Sequence, residues 1–395
     1  MVSRADRSSF AEWWWTVDKI LLAALIALMV GGVVLSLAGS PAVAERLGYD
    51  SFHFVKRHVA FFVPAVAVMI ATSFLTPRQV RRTSLVVMVV MIVLMMATLF
   101  VGTDVKGARR WIDFAGLSIQ PSEFVKPAFV VIVAWLFAEN SRRSDIPGNV
   151  FALILLAIVA ALLVAEPDFG QTMLITIAWS ALFFMAGMPW IWIVGLALAA
   201  AGGTFVAYTA LPHVAGRIDR FLSPQSGDTF QVDTAMQSIL RGGWLGQGPG
   251  EGTVKRILPD AHTDFIFAVA AEEFGIIICI GLVAVFALVV FRGLSKSLKN
   301  EDPFTRLAAA GLVVLFGVQS LINMAVNLKL IPAKGMTLPF ISYGGSSMIA
   351  VAFGMGLLLA LTRRRPETAL RIAPRVLSAP KQPVAELPPP APSPA

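Results

Sequence analysis

The chain has 395 residues, of which 57% are hydrophobic and only 14% charged, with a mean hydropathy of +0.76. This composition excludes an ordinary soluble domain and points to a polytopic helical membrane protein, and the absence of strand-like alternation argues against an outer-membrane barrel. The net charge of +8 sits largely in short loops, as membrane topology requires, and is no nucleic-acid signal; the single cysteine, Cys279, permits neither an internal disulfide nor a Cys/His metal set.

Residues 1–17 form a polar, then aromatic, tail in which Trp13, Trp14 and Trp15 suit a membrane interface. The first apolar run begins near Ile20, is full length and lacks a cleavage site, so it reads as a span and not as a signal peptide. Ten spans are predicted, at 18–39, 59–76, 84–102, 123–139, 149–165, 170–187, 189–211, 265–291, 305–327 and 341–362. An even number places both termini on one side. That side carries Arg78, Arg81 and Arg82, then Arg142 and Arg143, then Arg292, Lys296, Lys299 and Arg306, then Arg363–Arg365, and is therefore expected to be cytoplasmic. The opposite loops also hold cations: Lys56, Arg57, Lys106, Arg109, Arg110, Lys329 and Lys334. Basic residues on the outer side invite an anionic ligand as their explanation. The expected fold is all-α: a ten-helix membrane domain at 18–362, a large extracytoplasmic loop at 212–264 between spans seven and eight, and a Pro/Ala-rich cytoplasmic tail at 363–395 that can bury no core.

The large loop carries Arg217, Arg220, Arg241, Lys255 and Arg256, and Asp233–Leu240 could form a short helix. The following GGWLGQGPGEG (Gly242–Gly252) has glycine's backbone freedom, which suits a flexible connector or a phosphate cradle. Then comes LPDAHTDFIFAVAAEEFG (Leu258–Gly275), the densest polar stretch at a membrane edge. Asp260, His262 and Asp264 precede its apolar run, and Glu272 and Glu273 lie inside. A charge within a span costs about 2.5–3.5 kcal/mol on insertion scales, so such residues mark either a site or a paired structural ion. On one helix Glu272 would lie about 80° round from Asp264 and about 12 Å along, so both could border one cavity, while Glu273 needs a partner elsewhere. Three further clusters lie on the outer side. In GARRWIDFAGLSIQPSEFVKP (Gly107–Pro127), Arg109, Arg110 and Trp111 occupy a loop, and Glu123 and Lys126 stand i, i+3, where they could neutralise each other. EPDFGQT (Glu166–Thr172) is a tight hairpin whose Pro167 and Gly170 favour a structural reading. PAKGMTLPFISYGGSS (Pro332–Ser347) brackets Lys334 with prolines and interrupts the last span at Gly344–Gly345. Broken backbone at membrane depth must be buried in protein or line a cavity.

These long motifs, in this order and with FQVDTAMQSILRGGWLGQGPG between them, resemble the FtsW/RodA (SEDS) family over nearly all of 18–362, and PAKG resembles the division branch. The departures are mild: Asp260 stands where the family commonly has Glu, and Phe230 where Tyr is usual. The resemblance implies a peptidoglycan glycosyltransferase acting on lipid II in the bacterial inner membrane at the division septum. It implies a class B penicillin-binding protein and other divisome proteins as partners. It carries the family's essential aspartate onto Asp264 and its RW motif onto Arg110 and Trp111. Asp264 is then the expected general base. The expected substrate-binding set is Arg109, Arg110, Trp111, Glu123, Lys126, Gln231, Lys255, Arg256, Asp260, His262, Glu272, Lys334, Ser346 and Ser347. No cofactor is implied with certainty; a divalent cation (Mg²⁺ or Mn²⁺) could assist the leaving pyrophosphate. The alternative reading is a lipid II flippase, against which stands the concentration of polar clusters on one side.

Overall fold

A computed structural model describes residues 8–105, 108–114, 117–143, 145–210, 215–216, 219, 230–332 and 335–363. Helix α1 (Ser9–Thr16) leads into α2 (Lys19–Arg46), α3 (His53–Ser73) and α4 (Pro77–Val101). Strands β1 (Thr103–Val105), β2 (Ala108–Phe114) and β3 (Leu117–Ile119) follow, then α5 (Pro121–Arg142), α6 (Gly148–Ala165), α7 (Phe169–Met185) and α8 (Trp190–Ala210). Past the large loop come α9 (Phe230–Gly242), a 3₁₀ turn at Val254–Arg256, α10 (Ile266–Leu298), α11 (Pro303–Asn327) and α12 (Gly345–Thr362). Among the described residues nine helices are long and apolar enough to cross a membrane, and the 17-residue α7 supplies the tenth apolar helix. All ten predicted spans are therefore helices.

Helix starts follow from capping chemistry. Asp18 accepts from the Leu21 N–H, Thr76 forms a capping box with Gln79 ahead of Pro77, and Asp302 accepts from the Thr305 N–H ahead of Pro303. Each satisfies an N–H that the helix leaves without a partner. These three caps share the face here called inner. Asp18 also pairs with Arg292 (2.8 Å) and Lys296 (3.0 Å), Asp302 with Arg142, and Arg363 with Glu12. So the basic residues read as topology signals also tie the inner ends of the helices together. Trp13 departs from the expected interfacial role. It is buried, stacks on Phe74 with ring centroids 5.0 Å apart, and donates from Nε1 to Ser73 Oγ.

The centre of the bundle is α5, α11 and α12, whose residues are buried on nearly every side. Helices α4, α6 and α8 turn Val86, Ile154, Trp192 and similar apolar side chains outward, as a lipid-facing ring requires.

Two regions break helical regularity. The outer segment after α4 is an antiparallel meander, with β2 paired to both β1 and β3, where a plain loop was expected. Helix α10 is interrupted at Gly275 (φ 80°, ψ 173°). The glycine-rich stretch docks onto that interruption. Gln247 and Gly248 N–H groups donate to the carbonyls of Glu272 and Glu273 (2.8 and 3.1 Å), while Ile276 N–H donates to Gly243 O (2.9 Å). A Cβ on Gly275 would lie 2.3 Å from Trp244 O, and one on Gly246 (φ 83°) 2.2 Å from Glu273 O. The glycines thus serve close backbone approach. Those two N–H groups are spent on a broken helix, so the stretch is neither a free connector nor, at these two amides, a phosphate cradle.

Candidate active site

The outer half of the bundle encloses a cavity of about 870 Å³. Its walls come from the outer ends of α3, α5, α7 and α11, from β2, from the start of α9, and from the segments 260–265 and 335–347.

Asp264 lines this cavity and stands before the first turn of α10. Its peptide is fixed from several directions. Its N–H donates to Asp260 O (3.1 Å). Its carbonyl accepts from Asn323 Nδ2 and from Asn327 Nδ2, each at 2.9 Å. Asn323 Nδ2 also reaches Met336 O, and Asn327 Oδ1 accepts from Ala268 N–H. Two buried amides four residues apart on α11 therefore clamp the turn that presents the carboxylate. The segment after α11 is zipped to the same turn: Ser342 Oγ donates to Thr263 O and Tyr343 N–H to His262 O (2.9 Å). This is the broken backbone that the two prolines and Gly344–Gly345 announced.

Beside Asp264 a buried polar chain runs inward. Gln171 Nε2 donates to Glu123 Oε1 (2.8 Å), Glu123 pairs with Lys126 (2.9 Å), and Lys126 Nζ donates to Gln319 Oε1 (3.1 Å). Gln319 Nε2 then donates to Thr337 O (3.1 Å), and Thr337 and Ser347 share a hydroxyl bond (2.8 Å). Glu123 and Lys126 do neutralise each other, and they do so 97–98% buried, where breaking the pair costs far more than on an exposed helix.

Arg110 brackets two elements. From β2 its guanidinium donates to Glu166 O (2.9 Å) and Pro167 O and pairs with Asp168 (3.5 Å). It locks the meander to the α6–α7 hairpin. Glu166, in that hairpin, is held by Thr98 Oγ1 (2.6 Å). Burial pushes its carboxyl up to about 7, against the opposing pull of Thr98 and Arg110.

Of the expected residues, Arg110, Trp111, Glu123, Gln231, Asp260, Asp264 and Ser347 line the cavity. Lys334 lies outside the described residues, as do Lys106, Arg217 and Arg220. Others stand elsewhere. Arg109 and Arg256 are exposed away from the cavity, and Lys126 lies behind Glu123. Ser346 joins α12 to the meander through Gln120 N–H and Ser118 O. His262 packs against Phe54 and Tyr343. Glu272 is fully buried and accepts from Ser238 Oγ (2.6 Å), Val254 N–H (2.7 Å) and Lys255 N–H (2.9 Å). It therefore anchors the 3₁₀ turn and does not share a cavity wall with Asp264. The partner that Glu273 needed is Lys255, which also donates to Ala38 O and is thereby removed from the outer cations.

The cavity also recruits residues not expected there: Arg57, Asp168, Gln171, Asn323, Lys329 and Tyr343. Arg57 was visible in the sequence as an outer cation. The two asparagines carried no signal, because their partners at Asp264 and Ala268 are main-chain groups roughly sixty residues away. Lys329 has a left-handed backbone (φ 57°), a conformation that costs a non-glycine residue about 1–3 kcal/mol. Among the described residues no three His, Cys, Asp or Glu side chains converge as a metal-ligand set.

The family described as cell cycle protein (FtsW, RodA, SpoVE) matches residues 18–367. The chain is 50% identical over 365 residues to the probable peptidoglycan glycosyltransferase FtsW of Caulobacter vibrioides, covering 92% of this chain and 94% of that one. It is 34% identical over 359 residues to the protein of the same description from Geobacter metallireducens, covering 89% and 96%. Among solved structures, a chain from a study of structural coordination of polymerization and crosslinking by a peptidoglycan synthase complex superposes with a TM-score of 0.73 at 27% identity, covering 88% and 98%. The rod shape determining protein RodA of Thermus thermophilus gives 0.66 at 24%, covering 88% and 97%. The chain therefore belongs to the FtsW/RodA/SpoVE family of cell cycle proteins.

Proposed function

We propose that this chain, a peptidoglycan glycosyltransferase and multi-pass membrane protein of the cell division machinery, polymerises lipid II on the outer side of the bacterial inner membrane, at the septum. The observation that carries the reading is the clamped Asp264 at the wall of a cavity of about 870 Å³. A cavity of this size suits a disaccharide, and its polar residues come from the outer ends of the helices. A transport pathway should also draw on the inner ends, so the asymmetry supports chemistry over flipping.

In the proposed step Asp264 accepts the proton of the acceptor GlcNAc 4-hydroxyl. That oxygen attacks the donor MurNAc anomeric carbon, and the α-linked bond to the diphosphate breaks with inversion. The product is a β-1,4 linkage with undecaprenyl diphosphate as leaving group, and no covalent enzyme intermediate is needed. Asn323 and Asn327 position the base through its own peptide carbonyl. Arg57 stands free of an Asp or Glu ion pair among the described residues and offers charge for the diphosphate. Arg110 is committed to the α6–α7 hairpin and shapes the wall. Should a Mg²⁺ or Mn²⁺ ion accompany the diphosphate, Asp260 would be the cavity carboxylate to hold it, leaving Asp264 for the proton, and the ion would supply positive charge to the leaving oxygens. A class B penicillin-binding protein and other divisome proteins are the proposed partners.

The test uses the full chain purified with its transpeptidase partner, labelled lipid II, and moenomycin to block contaminating enzymes. Wild type should make glycan strands and Asp264→Asn none, since a general base contributes about 10²–10⁴-fold. Equal polymer from both would remove Asp264 from the reaction. No polymer from either, with lipid II bound, would favour transport.

A further inference from the structure

The last turn of α11 ends in a motif that glycine normally completes. Leu330 N–H donates to Ala325 O (2.8 Å) and Lys329 N–H to Val326 O (3.0 Å). These are the two bonds of a Schellman cap, in which the left-handed position belongs to Lys329. A lysine is a poor residue for that backbone, and a role for its side chain would account for its presence there. Lys329 lines the cavity, and its Nζ pairs at 2.5 Å with Asp233 of α9. Both side chains are 38% exposed, and a half-exposed ion pair stabilises too little to offset the backbone strain. Nor does the pair remove the charge from the cavity: Gln231 and Val232, next to Asp233, form the same wall.

We propose that Lys329 is a diphosphate-binding residue, held at the cavity wall by Asp233 and passed to the diphosphate of a lipid-linked sugar when that ligand enters. The proposal rests on the reading of the cavity as a lipid II site. From the strained turn at the cavity wall the ammonium reaches the first turn of α9, where Asp233 serves as its counter-ion. A doubly charged phosphate group is a stronger acceptor for the ammonium than a half-exposed carboxylate.

The experiment measures binding of undecaprenyl diphosphate to the full chain with its partner, beside undecaprenol, which has the same tail and no phosphate. Binding needs no turnover, so the test stands even if the wild type makes no glycan. Lys329→Gly should weaken undecaprenyl diphosphate by about tenfold or more, while its melting temperature holds or rises because glycine fits the cap. Lys329→Arg keeps the charge and should retain most of the affinity. Asp233→Asn should leave diphosphate binding unchanged or tighter, because it releases the lysine. Undecaprenol should bind all of them alike. Wild-type diphosphate affinity in Lys329→Gly would overturn the proposal. So would weaker diphosphate binding in Asp233→Asn, which would make the pair a structural tie, or weaker undecaprenol binding in Lys329→Gly.

Discussion

One stretch, Leu258–Gly275, supplies carboxylates that divide between two opposite fates. Glu272 and Glu273 sit inside α10, fully enclosed: Glu272 accepts from Ser238 and from the amides of Val254 and Lys255, and one oxygen of Glu273 meets the Lys255 ammonium. Asp264 sits eight residues before Glu272 at a cavity wall, and Asn323 and Asn327 grip its backbone. In the first region the carboxylates are the fastening. In the second the carboxylate is what is being fastened. A buried charge held by groups of its own protein stabilises an arrangement, whereas one set at a cavity wall by a clamped main chain stands where a ligand can meet it.

The largest effects should separate these fates. Asp264→Glu keeps the charge but moves it by about 1.5 Å, one carbon–carbon bond. Displacement of that order costs about 100-fold, so polymerisation should fall by roughly that factor while the melting temperature stays near wild type. Lys255→Met should do the reverse. Removing one partner of a buried pair costs about 3–5 kcal/mol, so the yield of folded protein should drop while polymer made per folded molecule is retained. Adding Glu273→Leu should recover much of the stability, since an apolar pair need not bury an unmatched charge. Activity lost in Lys255→Met at normal melting temperature would erase the distinction between the two regions.

The sequence makes the ten spans legible, because apolar length and caps such as Asp18, Thr76 and Asp302 are local. It also makes the position of Asp264 legible, through a motif. It does not separate Asp264 from Glu272. Helical geometry places both on neighbouring faces, but Asp264 precedes the helix, and the ligands of Glu272 arrive from a loop that folds back over the Gly275 interruption. Asn323 and Asn327 escape notice for a related reason: an asparagine that hydrogen-bonds a distant carbonyl leaves no periodic or charge signature. Lys329 is visible as an outer cation. Its left-handed backbone is not, since nothing in the local sequence marks a glycine position occupied by lysine.

A smaller effect tests a carboxyl that belongs to neither class. Glu166 is buried yet stands in the α6–α7 hairpin beside the cavity wall, with its carboxyl pushed up from 4.5 to about 7 by burial. Between those values the folded chain holds a proton that the unfolded chain has released. Its contribution to stability is therefore full below about pH 4.5, shrinks as pH rises, and is gone above about pH 7. The rise from 4.5 to about 7 corresponds to about 3 kcal/mol at most. Glu166→Gln should accordingly flatten the fall in melting temperature between pH 5 and pH 8, with its gain over wild type greatest at the alkaline end. An unchanged slope would mean that Glu166 is ionised throughout and belongs with the fastening carboxylates.

The smallest expected effect concerns the tail. Arg363 donates to Thr16 Oγ1 (2.9 Å) and to Phe74 O (3.4 Å) and pairs with Glu12, so the end of α12 is fastened to α1 and α3 at the inner face. Residues 366–395, dominated by proline and alanine and ending in ELPPPAPSPA, have no composition from which to build a core. Ending the chain after Arg365 keeps Arg363 and removes that segment. Polymerisation by the purified, partner-bound protein should then stay within about twofold of wild type, with an unchanged melting temperature, because an end-tethered segment without a core contributes little to a packed domain. Ending it after Thr362 also removes the Arg363 contacts and should lower the melting temperature. If both truncations kept full stability, the inner-face ties would be contacts without consequence, and the division between fastening and fastened charges would hold only on the outer side.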